Sequence, residues 1–183
     1  MAREEEVKQI MEALVIADDK IIGEIMAARG VWGEGQSARV QAAKALKNLA
    51  DTNQLEKGEG SYYRIIGCKS TYQPHSVLLT KQLAEILKVY PESIIFRERN
   101  VPEIGVRPDG IILIKRENKG LVIILECLVN ETETYYQSKV RAWESWDGAL
   151  EYLSRLFGVK IPNFSIIPIK TGENVLDRIP RKE

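Results

Sequence analysis

The chain has 183 residues and a mass of 20.7 kDa, which suits one mid-sized domain or two small ones. Hydrophobic residues make up 44% and charged residues 28%, proportions that exclude a disordered chain, a collagen-like fibre and a low-complexity polymer. Basic and acidic residues both number 26, so the net charge is zero. This balance excludes a wholesale polyanion binder of the histone type but leaves room for a localised nucleic-acid site.

Targeting and redox features predict a cytoplasmic protein. No stretch approaches the roughly 20 apolar residues that span a bilayer, and the polar N-terminus lacks the apolar core of a signal peptide. Cys68 and Cys127 lie far apart without a neighbouring cysteine or histidine, so we expect two reduced thiols. His75 is the single histidine, which excludes a histidine-rich zinc site.

Residues 1–70 predict helix, helix, turn, helix and hairpin, in that order. The second helix follows the capping pair Asp18 and Asp19. A third helix is predicted over residues 36–50, after a glycine-containing break, and two strands joined by a tight glycine turn are predicted over residues 55–65. One face of the third helix carries the small and apolar residues expected in a core: Ala38, Ala42, Ala45, Leu46 and Leu49.

This order of elements resembles a winged helix-turn-helix domain, whose third helix enters the DNA major groove while the hairpin lies beside the backbone. The resemblance implies that Gln36 and Arg39 read base edges. Four further basic residues would contact phosphates: Lys44, Lys47, Lys57 and Arg64. Two alternatives stay open: a three-helix packing module whose lysines provide solubility, and a protein-interaction module whose third helix is covered by a partner chain.

A polar segment that ends in Pro74 predicts a linker between a domain of residues 1–70 and a second domain of residues 74–183. The second domain begins with a helix whose apolar stripe includes Leu79, Leu83 and Ile86. The rest of this domain is predicted as three strands, one long helix and a last strand, over residues 93–96, 110–115, 121–126, 131–157 and 164–169, with Asn130 as the cap of the long helix.

The strands at residues 110–115 and 121–126 are almost continuously apolar, which predicts a sheet covered on both faces. Asp109 precedes the first of these strands and Glu126 ends the second, so pairing of the two strands would bring both carboxylates to one end of the sheet. Neighbouring carboxylates repel unless a cation holds them. Oxygen ligands of this kind suit Mg²⁺ or Mn²⁺, which activates water and stabilises the charge on a phosphodiester during cleavage.

The order helix, three strands, helix and strand, with Pro108-Asp109 and Glu126, resembles the PD-(D/E)xK nuclease superfamily. The resemblance implies an α/β restriction-endonuclease-like domain with a central mixed sheet, joined to the winged helix in an α+β chain. The superfamily places a lysine two residues after the strand acid, but here Leu128 occupies that position. Lys139 on the following helix is the candidate replacement, and the Cys127 carbonyl would join Asp109 and Glu126 as a metal ligand.

A further resemblance is to the replication-relaxation family of plasmids and mobile elements, which combines a winged helix with a nuclease-like domain. The residues that carry it are His75, Glu98, Pro108-Asp109, Glu126, Lys139 and Trp143. Glu98 and Glu85 are candidates for an additional acid. The resemblance implies a DNA-binding protein of mobile-element or replication type that acts on double-stranded DNA, with Mg²⁺-dependent endonuclease activity and homodimerisation as expectations.

Each site residue also has a purely structural interpretation. Pro108-Asp109 is a common turn before a strand, Glu126 would cap the long helix or pair with Arg141, and Lys139 would be solvated. The aromatic residues of the long helix would belong to the core: Tyr135, Tyr136, Trp143 and Trp146. The competing function is a non-catalytic DNA-binding regulator that uses the nuclease fold as a scaffold or for dimerisation. The missing strand lysine favours this regulator, whereas the two retained acids favour the enzyme.

Overall fold

The computed structural model describes residues 2–58, 60–68, 73–115, 120–129 and 131–179. The chain forms two compact units, Met1–Pro91 and Glu92–Glu183, and its described part is a mixed α+β structure with two sheets. The predicted linker falls mainly on residues 69–72, which lie outside the described residues. No helix in the described ranges combines the length and the apolar character needed to cross a membrane.

The first unit consists of helices around a small three-stranded antiparallel sheet, in which β3 is central and β1 and β2 flank it. Its elements in chain order are α1 (Ala2–Leu14), β1 (Ile16–Asp18), α2 (Asp19–Ala28), α3 (Gln36–Asp51), β2 (Leu55–Lys57), β3 (Tyr62–Ile65) and α4 (Pro74–Val89). The helix α4 packs on α1 and α2 within this unit, whereas the sequence prediction places it at the beginning of the second domain.

Close contact between α2 and α3 depends on small residues. A Cβ atom at Gly23 would lie 3.1 Å from the Ala38 carbonyl carbon and from the Arg39 backbone nitrogen, so only glycine allows this approach without a shift. The buried face of α3 is the predicted one, and Val40 on its opposite face is exposed. The Asp18 carboxylate accepts a hydrogen bond from the Ile21 backbone N–H at 2.8 Å, which confirms the predicted cap of α2.

The second unit is a four-stranded mixed sheet with helices packed on one face. Its elements are β4 (Ile94–Arg97), β5 (Gly110–Lys115), β6 (Gly120–Leu128), α5 (Glu133–Glu144), α6 (Ala149–Phe157), β7 (Phe164–Lys170) and a 3₁₀ turn (Val175–Asp177). The strand order is β4-β5-β6-β7; the first three strands are antiparallel, and β7 runs parallel to β6 after the helical connection.

Hydrophobic burial on both faces holds β5 and β6 in the middle of this sheet. Alternate residues such as Ile111 and Ile124 pack with Trp143 of α5 and Leu153 of α6. The intervening residues are fully buried as well: Ile112, Ile114, Ile123 and Leu125. The side chains on both faces of β5 and β6 are therefore buried, as the apolar runs predict.

The prediction of one long helix over residues 131–157 was wrong, because α5 ends at Glu144 and α6 begins at Ala149. The break contains Asp147 and Gly148, two residues that are unfavourable inside a helix. Asn130, the predicted cap, lies outside the described residues, and Thr132 is the N-cap: its hydroxyl accepts from the Tyr135 N–H at 3.3 Å.

Candidate functional site

Three acidic residues occupy neighbouring positions at one end of the second sheet. The strand register pairs Arg97 with Gly110 and Gly110 with Leu125. The next position on each strand is therefore Glu98, Asp109 and Glu126, and the Glu98 backbone N–H donates to the Asp109 carbonyl oxygen at 2.8 Å. The pairing of β5 with β6 thus brings Asp109 and Glu126 to the same sheet end, as the sequence predicts.

Asp109 is held by the backbone of the neighbouring strand. Its side chain is 6% exposed, and its Oδ2 atom accepts a hydrogen bond from the Cys127 N–H at 2.6 Å. A buried backbone N–H needs an acceptor, and a charged oxygen is a strong one. This contact fixes the Asp109 carboxylate beside the end of β6.

Lys139 joins two carboxylates in a buried cluster. It lies on α5, is 4% exposed, and donates to Glu126 Oε2 at 2.7 Å and to Glu131 Oε1 at 3.1 Å. Glu126 is 1% exposed. The Lys139 ammonium also lies 5.0 Å from the centre of the Tyr135 ring, within the range of a cation–π contact. Three groups therefore restrain the Lys139 side chain.

Burial dominates the electrostatics of this cluster. Desolvation raises the pKa of Glu126 to about 7, with the Asp109 charge adding to the rise and the Lys139 hydrogen bond opposing it. Burial alone would lower the pKa of Lys139, but its hydrogen bonds to Glu126 and Glu131 and their charges raise it above its ordinary value. Lys139 therefore stays protonated at neutral pH, where Glu126 changes its charge.

Two carboxylate oxygens of the cluster lack a hydrogen-bond partner among the described residues. They are Glu126 Oε1 and Glu131 Oε2, and both atoms are buried. Burying a carboxylate oxygen without a hydrogen-bond partner is energetically costly. These two atoms therefore need an explanation beyond the ion pairs with Lys139. They are the oxygens opposite those that Lys139 contacts.

Glu98 reaches the same sheet end but faces arginine side chains. Its carboxylate lies 3.5 Å from Arg97 Nε and 3.5 Å from Arg107 Nη2, and its backbone has a φ of 48°. A positive φ is unfavourable for a residue with a side chain and occurs where surrounding contacts hold it. Here the contact with the Asp109 carbonyl oxygen supplies such a restraint.

Oxygen ligands for a divalent cation are present, but not as a preassembled cage. In the described residues, no three histidine, cysteine, aspartate or glutamate side chains converge on one metal position. The Cys127 carbonyl, the predicted third ligand, accepts from the Val129 N–H at 3.1 Å and keeps a second lone pair. Mg²⁺ usually takes only one or two carboxylates and completes its shell with water, so the residues fit such an ion.

Four of the residues predicted to contact DNA have exposed side chains: Gln36, Lys44, Lys47 and Lys57. The two arginines make ion pairs within the first unit. Arg39 Nε donates to Asp19 Oδ2 at 2.7 Å, and Arg64 makes a two-point contact with Glu56 at 3.0 and 2.8 Å. Contact of Arg39 with a base edge, or of Arg64 with a phosphate, would have to compete with these carboxylates.

The remaining candidate residues lie in the first unit or on α5 of the second unit. His75 and Glu85 lie on α4 in the first unit, where Glu85 pairs with Lys88. Trp143 is buried in the core as predicted. Tyr135 departs from its core prediction, because it is 54% exposed.

Sequence reasoning missed Glu131 as a member of the cluster. The only signal was its place between β6 and α5, since the contact depends on the path of that short connection. No known protein family, characterised protein or solved structure matches this chain. We therefore base its function on the residues of the site.

Proposed function

We propose that the chain is a DNA-binding protein of mobile-element or replication type whose second unit is a Mg²⁺- or Mn²⁺-dependent DNA endonuclease of the PD-(D/E)xK type. One observation carries the proposal. Lys139 Nζ lies 2.7 Å from Glu126 Oε2, and Asp109 is held beside Glu126 by its bond to Cys127 N–H. A lysine beside two acids at one sheet end is the donor set that this chemistry requires.

The topology of the second unit supports the nuclease assignment. The superfamily core has three antiparallel strands, a helical crossover and a fourth strand parallel to the third. Here β4, β5 and β6 are antiparallel, and β7 follows α5 and α6 and pairs parallel with β6. The acids lie at the ends of the two central strands, β5 and β6.

The metal would be held by Asp109, Glu126 and the Cys127 carbonyl. The fit rests on the unpartnered buried oxygen Glu126 Oε1 and on the preference of Mg²⁺ for oxygen ligands. When bound, the metal would act as a Lewis acid toward the phosphodiester and its attacking water. Asp109 also keeps the end of β6 in place through the Cys127 N–H, so it shapes the site as well as carrying charge.

Lys139 would orient the attacking water in place of the missing strand lysine. Its ammonium is protonated at neutral pH and offers three donors, of which two are used by Glu126 and Glu131. The cation–π contact with Tyr135 keeps it at the edge of the site. Its role is therefore to donate a hydrogen bond and to stabilise negative charge, not to abstract a proton.

The first unit supports DNA binding through its order of elements. The order α1, β1, α2, α3, β2, β3, with β3 in the centre of the sheet, resembles that of a winged helix. The exposed face of α3 carries Lys44 and Lys47, and Lys57 ends the first strand of the hairpin. These positions would face the groove and the DNA backbone.

A cleavage assay tests the nuclease. Supercoiled DNA is incubated with Mg²⁺ or Mn²⁺ and the wild type, Asp109→Asn or Lys139→Met, with the exposed residues Asp147 and Lys160 replaced in the same way as matched controls. Asparagine keeps an acceptor for the Cys127 N–H, so loss of cutting would reflect the lost charge. Cutting lost in both site variants and kept in both controls supports the enzyme, whereas equal cutting by all five proteins contradicts it.

The second candidate is a non-catalytic DNA-binding regulator that uses the nuclease fold as a scaffold or for homodimerisation. The observation that favours it is that both acids already have intramolecular partners, Cys127 N–H for Asp109 and Lys139 for Glu126. Wild type that binds DNA without cutting, with unchanged binding by the site variants, would select this candidate.

DNA binding itself is tested through salt dependence. We expect Lys44→Ala/Lys47→Ala to weaken binding and to lower the slope of log affinity against log salt by about 0.9 for each lost phosphate contact. The control is Lys81→Ala, which removes an exposed lysine of α4. An unchanged slope in the double variant would mean that α3 does not contact the DNA. It would favour a protein-interaction module.

A further inference from the structure

The carboxylates around Lys139 are not equivalent as cation ligands. Asp109 Oδ2 is taken by the Cys127 N–H at 2.6 Å. Glu126 and Glu131 instead share a single ammonium group, and each keeps a buried oxygen without a partner among the described residues. The buried carboxylate oxygens without a partner among the described residues therefore belong to Glu126 and Glu131.

We propose that a divalent cation binds to Glu126 and Glu131 in competition with the Lys139 ammonium. The inference rests on the metal site proposed above and adds Glu131, a residue outside the superfamily pattern. Two observations carry it independently of acidic clustering. Glu126 is 1% exposed with an unpartnered oxygen, and one Lys139 nitrogen lies within 3.1 Å of both carboxylates.

The geometry and the charge balance agree with an exchange of cations. The Lys139 nitrogen lies 2.7 Å from one carboxylate and 3.1 Å from the other, whereas Mg²⁺ approaches oxygens to about 2.0–2.1 Å. A small closing movement of the two side chains would satisfy a metal ion. Glu126, Glu131 and Asp109 together outnumber the charge of Lys139, so an added cation reduces net repulsion.

Such an exchange would change what Lys139 does. In its present position the ammonium is bound to two carboxylates. With a cation bound to Glu126 and Glu131, the Lys139 ammonium would be able to donate to water or a phosphate instead. Glu131 would thus link metal binding to the availability of Lys139.

Mn²⁺ titration of the full chain by calorimetry and by water-proton relaxation tests the inference without any cleavage reaction. We expect Mn²⁺ to bind the wild type and Glu131→Gln to weaken binding by about 10-fold or more. Glu133→Gln is the matched control, because Glu133 is exposed two residues further along, where it accepts a hydrogen bond from Gln137. Equal affinity of the Glu131 and Glu133 variants, or no Mn²⁺ binding by the wild type, would overturn the inference.

Two further variants separate this inference from the proposed function. If Asp109→Asn weakens Mn²⁺ binding and Glu131→Gln does not, the inference fails while the proposed ligand set stands. If Glu131→Gln weakens binding and Asp109→Asn does not, the inference holds and Asp109 is not a ligand. Lys139→Gln should bind Mn²⁺ more tightly than the wild type, and weaker binding by a variant with a native circular dichroism spectrum would refute the competition.

Discussion

The buried carboxylate of Glu126 should make the stability of the second unit fall as the pH rises through neutrality. Burial raises its pKa from 4.5 to about 7, so the folded protein retains a proton that the unfolded chain releases. The stabilisation from this proton is complete below pH 4.5 and is lost as the pH rises through about 7. Glu126→Gln, which cannot titrate, should abolish this dependence.

The magnitude follows from the linkage between proton binding and folding. A pKa difference between 4.5 and about 7 corresponds to ~3 kcal/mol of unfolding free energy over the full range. Part of this is already lost at pH 5, where most unfolded chains are ionised, so about 2–3 kcal/mol should disappear between pH 5 and pH 8. Lys139 adds no slope in this window, because its raised pKa affects stability only at alkaline pH.

Urea unfolding at a series of pH values measures the effect. The fluorescence of Trp143 and Trp146, which lie in the second unit, reports the transition in a Trp32→Phe background. Subtracting the Glu126→Gln curve from the wild-type curve removes contributions that both proteins share, and Glu133→Gln should follow the wild type. The quantity to compare is the unfolding free energy of the wild type minus that of Glu126→Gln. If it stays constant or increases from pH 5 to pH 8, burial does not dominate over the Lys139 ion pair.

Three further outcomes are expected from the same structure. Asp109→Ala should lower the unfolding free energy by about 1–3 kcal/mol, because the buried Cys127 N–H loses its acceptor; Asp109→Asn should lose less, and equal losses in urea unfolding would contradict this. Leu153→Ala should cost about 2–5 kcal/mol by leaving a cavity, while the exposed Leu150→Ala should change stability by less than about 0.5 kcal/mol. In the native protein a disulfide reagent at pH 8 should modify Cys68 but not Cys127, because burial shields that thiol and raises its pKa; equal rates would contradict the buried position.

Long periodic patterns predicted the architecture well. The five core residues of α3 follow from helical spacing, and the buried strands β5 and β6 follow from their apolar runs. The meeting of Asp109 and Glu126 follows as well, because two strands joined by a short turn must pair. The sequence indicates the contact of Lys139 with Glu126 only indirectly, because Lys139 lies beside the buried face of its helix.

Short and tertiary features escaped prediction. The strand β1 has three residues, too few for a pattern, and it follows Val15 at a φ of 66°. The break between α5 and α6 did leave a signal, Asp147-Gly148, but the apolar stripe on either side hid it. Glu131 lies in a connection whose path no local rule fixes, so its bond to Lys139 was not foreseeable.

Because β5 and β6 are apolar along most of their length, hydrophobicity alone does not determine how these two strands align. Ile111 faces Ile124 and Ile112 faces Ile123, so a slip by one residue would still bury aliphatic side chains on both faces. The same slip would turn Glu126 to the face opposite α5. Glu126 and Lys139 would then each be left as a charge without its partner. The charged cluster therefore favours the observed alignment of β5 and β6. A variant without these charges would keep the apolar sheet but would lose this preference for one strand alignment.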